Sequence, residues 1–128
     1  MIYLDSSVAL AQLFGEGRAP PETLWAEPLI SSRLLEYELW TRANAHRFAE
    51  HLHDAVDGLL GRLRLVELSA VALARAVEPW PLPLRTLDAL HLATMEFLRR
   101  RGETIELASY DRRLLNAAHA LGFGAAPL

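Results

Sequence analysis

Two residue types are missing from the 128-residue sequence, which contains neither cysteine nor lysine. The lack of cysteine excludes disulfide bonds, thiol nucleophiles and zinc–thiolate sites. The lack of lysine means that all 13 basic residues are arginines. Their forked guanidinium groups suit contacts with phosphate, although a bias in genomic base composition explains the same usage.

Long apolar runs are missing as well. No stretch of the sequence is long enough to span a bilayer, and the N-terminus has neither the basic segment nor the small-residue cleavage site of a signal peptide. We therefore expect a cytoplasmic protein that does not contact a membrane.

The composition that is present is typical of a globular protein. Hydrophobic residues make up 52% of the chain and charged residues 23%, and a chain of this length can bury its own core. We expect one domain over residues 1–128. The formal net charge of −3 is only a weak argument against nucleic-acid binding, because an acidic metal site becomes neutral once cations bind.

Strand-like and helix-like segments alternate along the chain. Short apolar runs predict strands at residues 2–4, 29–31, 65–68, 104–109 and, as an edge strand, 125–128. Apolar periodicity and capping residues predict helices at residues 8–14, 33–46, 47–63, 70–77, 87–101 and 112–121. This alternation predicts a three-layer α/β/α fold around a central, mainly parallel sheet of four to five strands.

Acidic residues stand at the junctions of these elements. Asp5 and Asp111 each follow a predicted strand, and Asp88 lies in a first helical turn with Thr86 as its N-cap. The carboxyl ends of parallel strands meet at one edge of a sheet. We therefore expect Asp5, Asp88 and Asp111 to meet there, together with Glu38, although each aspartate also stands where helix capping alone would explain it.

Glu38 and His91 each allow two interpretations. Glu38 lies within the apolar stripe of its helix, so its carboxylate needs either a metal ion or Arg42, one turn later, as a partner. His91 follows Asp88 by one turn. It either bonds to a carboxylate of the site or is a satisfied core histidine.

The ligand types available at this edge favour a hard cation. Clustered carboxylates cannot all stay ionised without cations, and oxygen ligands without cysteine or an organised set of histidines suit Mg²⁺ or Mn²⁺. Such a site activates water and stabilises both oxygens of an in-line phosphoryl displacement. The sequence therefore predicts a divalent-metal site of the kind that serves phosphoryl displacement.

Short motifs around these acids occur in a fixed order. They are residues 1–7 (MIYLDSS), 31–43 (SSRLLEYELWTRA), 84–93 (LRTLDALHLA) and 109–114 (SYDRRL). With these motifs, the chain resembles the PIN-domain ribonucleases over nearly its whole length, and in particular the VapC-type toxins of bacterial toxin–antitoxin pairs.

The resemblance implies roles for particular residues. In that family, the acids that match Asp5, Glu38, Asp88 and Asp111 form the metal centre of a Mg²⁺-dependent endoribonuclease. Two hydroxyl groups would help to orient a metal-bound water, those of Ser6 and Ser109.

The resemblance also implies partners. A small antitoxin protein would bind and silence the toxin, and homodimers are common in the family. Apolar side chains for either contact are Trp25, Trp40 and Phe48, although core packing also explains them. The arginines that could contact RNA phosphates are Arg85, Arg112, Arg113 and the cluster Arg99, Arg100 and Arg101, which a helix dipole also explains.

Two other functions fit the same acids. One is a housekeeping RNA-processing or DNA-acting nuclease with the same fold and site. The other is a non-enzymatic Mg²⁺-binding signalling domain of the phospho-acceptor receiver type. The absence of lysine counts against the receiver, because such domains need a lysine near the phosphorylated aspartate.

Overall fold

The computed structural model of the chain describes residues 1–15, 17–46 and 49–128. The strands are β1 (Ile2–Leu4), β2 (Leu29–Ser32), β3 (Leu63–Val66), β4 (Glu106–Ala108) and β5 (Gly124–Ala125). The α-helices are α1 (Ser6–Phe14), α2 (Arg33–Asn44), α3 (Ala49–Leu60), α4 (Ala70–Ala76), α5 (Thr86–Arg100) and α6 (Arg112–Ala120). A short 3₁₀ helix covers Glu22–Ala26.

The strands form one parallel sheet in the order β3-β2-β1-β4-β5. The direction of chain progression reverses between β1 and β4, where Leu4 is paired with Ala108. In open α/β sheets, a crevice for ligands forms at the carboxyl ends of the strands at such a reversal. The order confirms the predicted α/β fold. It differs from the 2-1-3-4-5 order of receiver domains, which removes the structural basis of the signalling alternative.

Each face of the sheet is covered by its own layer of helices. Ile2 and Leu4 point to one face and pack with apolar side chains of α1, α2 and α3. Tyr3 points to the opposite face and packs with α5 and α6, as the alternation of side chains along a strand requires. The two buried clusters hold β1 in the middle of the sheet, so the residue after β1 is placed at the central crevice.

The third strand was predicted too late in the chain. The sequence predicts residues 65–68, whereas β3 is Leu63–Val66. The reason is the pairing partner: Leu63 lies opposite Leu29 and Val66 opposite Ser32, where β2 ends and α2 begins. Residues 67 and 68 lie beyond the last residue of β2 and have no strand beside them in that register.

The bounds of two helices differ from those predicted. Thr86 was predicted as the N-cap of the Asp88 helix, but it is the first residue of α5, and Arg85 occupies the cap position in an extended conformation without a side-chain bond to the helix. The start of the helix predicted at 47–63 lies outside the described residues. Its far end is at Leu60, because β3 begins three residues later.

None of the helices in the described ranges is both long and apolar enough to cross a membrane.

Candidate metal centre

The acids singled out in the sequence line one pocket at the carboxyl edge of the sheet. Asp5 follows β1, Glu38 lies in the middle of α2, Asp88 lies in the first turn of α5, and Asp111 is the N-cap of α6. Residues from distant parts of the chain therefore share one cavity, lined by Asp5, Glu38, Asp88 and Asp111 together with Ser6, Ser7, Arg18, Arg85 and Tyr110.

Asp5 is buried and firmly held by two serines. Its Oδ2 accepts hydrogen bonds from the Ser7 hydroxyl at 2.6 Å, the Ser109 hydroxyl at 2.8 Å and the Ser7 backbone N–H at 3.3 Å. The last bond makes Asp5 the N-cap of α1. Capping and site formation are thus compatible, because all three bonds reach one carboxylate oxygen.

Ser7 was missed by sequence reasoning, which favoured Ser6 and Ser109. Ser7 Oγ donates to Asp5 and accepts from the backbone N–H of Tyr110 at 2.9 Å, so it joins the ends of β1 and β4. Ser6 instead donates to Glu38 Oε2 at 2.9 Å. The adjacent serines in the motif were a signal, but their sequence does not show which one faces which acid.

Glu38 reaches the pocket through partners on two other elements. Its Oε1 lies 2.7 Å from His91 Nε2 and its Oε2 accepts from Ser6, and 15% of the side chain is exposed. The guanidinium of Arg42, proposed as an alternative partner, lies over the Phe14 ring at 6.0 Å from its centroid. The Glu38 carboxylate is therefore held by His91 and Ser6.

His91 connects Glu38 to the interior of the sheet. The ring is fully buried, and its Nδ1 lies 2.7 Å from the hydroxyl of Tyr3. Burial raises the pKa of the Tyr3 hydroxyl, which therefore keeps its proton. Both interpretations of His91 hold at once, because it is a satisfied core histidine whose partner is a carboxylate of the pocket.

Asp88 has the least satisfied carboxylate among the acids of the pocket. Its Oδ2 is buried and has no hydrogen-bond partner among the described residues. Burial, followed by the nearby charges of Asp111 and Asp5, raises the pKa of Asp88 to about 6. An orphaned carboxylate oxygen among like charges is the electrostatic signature of a place for a cation.

Asp111 combines two roles, as the sequence left open. Its Oδ1 accepts from the backbone N–H groups of Arg113 at 2.9 Å and Leu114 at 3.4 Å, so it caps α6. Its charge also contributes to the high pKa of Asp88, which places it electrostatically within the pocket.

The pocket fits a divalent metal by donor type and charge. All its acidic donors are carboxylate oxygens, the ligands that Mg²⁺ and Mn²⁺ prefer, and the orphaned Asp88 oxygen is available to one. Within residues 1–15, 17–46 and 49–128, no three His, Asp or Glu side chains already surround a common point as ligands. A bound ion would therefore have to draw the carboxylates closer together.

The arginine side chains near the pocket are only partly those predicted to contact RNA. Arg85 lines it, as predicted, and so does Arg18, which was missed and which lies over the Tyr110 ring at 4.9 Å. Arg113 lines a separate depression, and Arg112 is exposed at the start of α6. Arg18 lies outside every helix and strand, so no apolar periodicity in the sequence indicates where its side chain is placed.

The other side chains proposed as surface contacts are mainly packed. Trp25 and Trp40 lie partly buried against the cluster formed by α1, α2 and α3, and Phe48 lies outside the described residues. Arg99 donates to the Leu121 carbonyl at 2.7 Å and covers the Phe123 ring. These contacts favour the structural interpretation of Trp25, Trp40 and Arg99.

Comparison with known proteins places the chain in a family. The family model described as PIN domain matches residues 2–120. Ribonuclease VapC35 of Mycobacterium tuberculosis is 36% identical over 127 residues, which cover 94% of this chain and 92% of that protein. Ribonuclease VapC46 of the same species is 38% identical over 125 residues, with 94% and 92% coverage.

A solved structure shares the fold. A toxin–antitoxin complex from Klebsiella pneumoniae contains a chain that matches with a TM-score of 0.73 at 18% identity, and the match covers 100% of this chain and 98% of that one. By the length of the sequence match and the arrangement of acids at the β1–β4 reversal, this chain belongs to the PIN-domain family.

Proposed function

We propose that this protein is a metal-dependent endoribonuclease that hydrolyses RNA phosphodiester bonds and acts as the toxin of a toxin–antitoxin pair. One observation carries the proposal: four acids from separate elements line a single pocket in which the buried Asp88 Oδ2 has no hydrogen-bond partner among the described residues. The PIN-domain match and the relatives named as ribonucleases support RNA as the substrate.

Asp5, Glu38, Asp88 and Asp111 are the proposed ligands of Mg²⁺ or Mn²⁺, and Asp88 Oδ2 is the donor that most needs the cation. When bound, the ion supplies Lewis-acid stabilisation of the phosphoryl oxygens and a more acidic water. Ser109 and Ser7 hold Asp5 in place, and Ser6 holds Glu38. Fixed donors of this kind keep the carboxylates oriented before substrate arrives.

Arg85 and Arg18 are the proposed phosphate contacts beside the acids, because both are exposed and both line the pocket. Arg112 and Arg113 would extend this contact along the start of α6. Arginine suits this role because its fork matches two phosphate oxygens at once.

The proposed partners follow from the same family. The Klebsiella pneumoniae structure is a toxin–antitoxin complex, and we propose a small antitoxin for this chain as well, together with a homodimer. We also propose that residues 1–128 form a single PIN-like domain and that it acts in the cytoplasm, where its RNA substrates are.

A cleavage assay tests the enzymatic part. The purified protein should cleave a labelled RNA with Mg²⁺ or Mn²⁺, EDTA should abolish cleavage, and Asp5→Asn and Asp88→Asn should be inactive. Asp54→Asn is the matched control, because Asp54 is an exposed acid of α3 away from the pocket. Wild-type rates in Asp5→Asn and Asp88→Asn would refute the metal-site assignment.

Expression in a host without the partner tests the toxin part. Growth arrest that depends on Asp88 and that a co-expressed neighbouring gene product relieves would support a toxin. Unimpaired growth at high expression of active enzyme would instead favour a housekeeping nuclease.

A further inference from the structure

A buried chain of hydrogen bonds connects the centre of the sheet to the acidic pocket. It begins at the Tyr3 hydroxyl on β1, which lies 2.7 Å from His91 Nδ1 on α5. It continues from His91 Nε2 to Glu38 Oε1 on α2, also at 2.7 Å. Tyr3 and His91 are fully buried, so the contact between them is shielded from water, whereas the bond to Glu38 is partly buried at the pocket. The two bonds join three elements of the fold.

The bond to Glu38 fixes one hydrogen of this chain, and the other follows when the imidazole is neutral. A carboxylate only accepts hydrogen bonds, so His91 Nε2 must carry the proton of its bond to Glu38. In a neutral imidazole, the other nitrogen is then an acceptor, and the Tyr3 hydroxyl is the donor to Nδ1. The Glu38 carboxylate therefore selects the Nε2–H tautomer, and the Tyr3 hydroxyl satisfies the remaining ring nitrogen by donating to Nδ1.

We propose that His91, whose Nδ1 is satisfied by Tyr3, is a positioning residue that fixes the Glu38 carboxylate in the pocket through its Nε2–H. This proposal rests on the proposed function, because it concerns an acid of the same site. Ser6 binds the second oxygen of Glu38, so the two donors together determine the plane and direction of the carboxylate. Rotation of Glu38 would leave the buried Nε2–H of His91 without an acceptor, which is unfavourable.

The partner of His91 distinguishes this role from simple core packing. A histidine that only fills space is commonly satisfied by a backbone carbonyl or by water, whereas both ring nitrogens of His91 are bonded to side chains. One of those side chains lines the pocket. Removal of a group that hydrogen-bonds to a metal ligand and orients it typically lowers metal affinity or activity by about 10-fold to 100-fold.

Two amide substitutions at His91 separate the two ring nitrogens. His91→Gln places its amide nitrogen near the position of Nε2 and should keep the donor to Glu38. His91→Asn places its amide near the position of Nδ1 and should lose that donor. We expect His91→Asn to weaken Mn²⁺ binding, measured by titration calorimetry, and RNA cleavage by about 10-fold to 100-fold, and His91→Gln to restore most of both. His119→Asn, at an exposed position of α6, is the control.

Nitrogen NMR of the wild-type, metal-free protein reads the tautomer directly and needs no variant. We expect one buried histidine with a protonated Nε2 and an unprotonated Nδ1. In Tyr3→Phe, which keeps the ring in its core, the buried Nδ1 loses its donor, so we expect the Nδ1 signal to shift and Mn²⁺ binding to weaken in parallel. Because Tyr3→Phe is conservative, this measurement remains decisive if His91→Asn fails to fold.

The outcomes separate the two proposals. A wild-type Nδ1–H tautomer, or Mn²⁺ affinity and cleavage unchanged in folded His91→Asn or in Tyr3→Phe, would overturn the positioning role. Cleavage at the wild-type rate by Asp88→Asn would overturn the proposed function instead, whatever the tautomer of His91.

Discussion

Helix α5 carries two acids in opposite electrostatic surroundings. Glu96, in its C-terminal half, faces Arg75 of α4. The Oε2 of Glu96 lies 3.4 Å from Nε of Arg75, and its Oε1 lies 3.2 Å from Nη2 of Arg75. The second contact lacks hydrogen-bond geometry, but the opposite charge lies beside it, and Arg75 also stacks on Trp80 at 3.7 Å. Asp88, in the first turn, instead lies near Asp5 and Asp111, whose charges raise its pKa to about 6.

The difference shows which acid serves the fold and which serves a ligand. A buried carboxylate beside an arginine is compensated within the chain, so the pair ties α4 and the loop that contains Trp80 to α5. Clustered acids in the pocket are only partly compensated, and burial makes that arrangement costly. Such a cost is understandable if a cation from outside the chain offsets it.

The largest expected effect tests this contrast in RNA cleavage. Asp88→Asn should lower kcat by at least about 100-fold, because it removes the free carboxylate oxygen of the proposed metal site. Glu96→Gln should leave kcat close to the wild-type value, because Glu96 contacts Arg75 and not the pocket. The measurement is steady-state cleavage of labelled RNA at saturating substrate and in excess Mn²⁺, at a temperature where circular dichroism shows both variants folded. Equal losses in the two variants would refute the contrast.

The next effect concerns stability, for which Glu96 should matter more than Asp88. Glu96→Gln should lower the free energy of unfolding by about 2 kcal/mol, because Arg75 then stays largely buried without its main counter-charge. Glu78, at 3.9 Å from Arg75 and mostly exposed, compensates only in part. Urea denaturation measures the change.

A double substitution sharpens that result. Replacing both partners, as Arg75→Met with Glu96→Leu, should recover part of the lost stability, since neither charge then remains buried alone. A double variant that is less stable than Glu96→Gln would show that Arg75 acts mainly through its stacking on Trp80.

A smaller effect concerns the pH dependence of the metal-free protein. The folded-state pKa of Asp88 is raised from 3.8 to about 6, so the folded state favours its protonated form. The contribution of Asp88 to stability is therefore fully present below pH 3.8 and is lost as the pH rises through about 6. Asp88→Asn cannot lose a proton. In EDTA it should become more stable than the wild type by about 1 kcal/mol above that range, a value reduced for the partial exposure of Asp88.

Denaturation midpoints at several pH values in EDTA check this prediction, with Asp54→Asn as the exposed control. Saturating Mg²⁺ should reverse the order, because the ion stabilises only the protein that can bind it. A difference between Asp88→Asn and the wild type that is independent of pH would contradict the assigned cause.

The sequence predicted those parts of the fold that depend on local pattern. The apolar run at β1 and the apolar periodicity of α5 locate these elements, because their buried faces leave a direct trace in the sequence. The position of β3 was wrong by two residues, since it depends on which residues of β2 lie opposite Leu63 and Val66. That register is a tertiary property and has no local signal.

The candidate site shows the same division. The junctions of strands and helices were sufficient to indicate that Asp5, Asp88 and Asp111 would converge, and the structure brings them into one pocket with Glu38; their roles as metal ligands stay a prediction. The tasks of Ser6 and Ser7 could not be assigned, because neighbouring residues in a first helical turn point in directions about 100° apart. The Tyr3 contact of His91 joins residues far apart in the chain, so only the fold reveals it.

The smallest expected effect concerns the cations that face the acids. Arg85→Ala should raise the KM for RNA by about threefold at low salt. It should also reduce the slope of log KM against log salt concentration by about 1, the value expected for the loss of one phosphate contact. The physical reason is that an exposed arginine at the rim of the pocket contributes a screened charge, unlike the buried pair of Arg75 and Glu96. Arg64→Ala is the matched control, because Arg64 is exposed on the edge strand β3 and should leave both quantities unchanged. The same change in both variants would mean that RNA responds to total charge, and would remove Arg85 from the proposed contact.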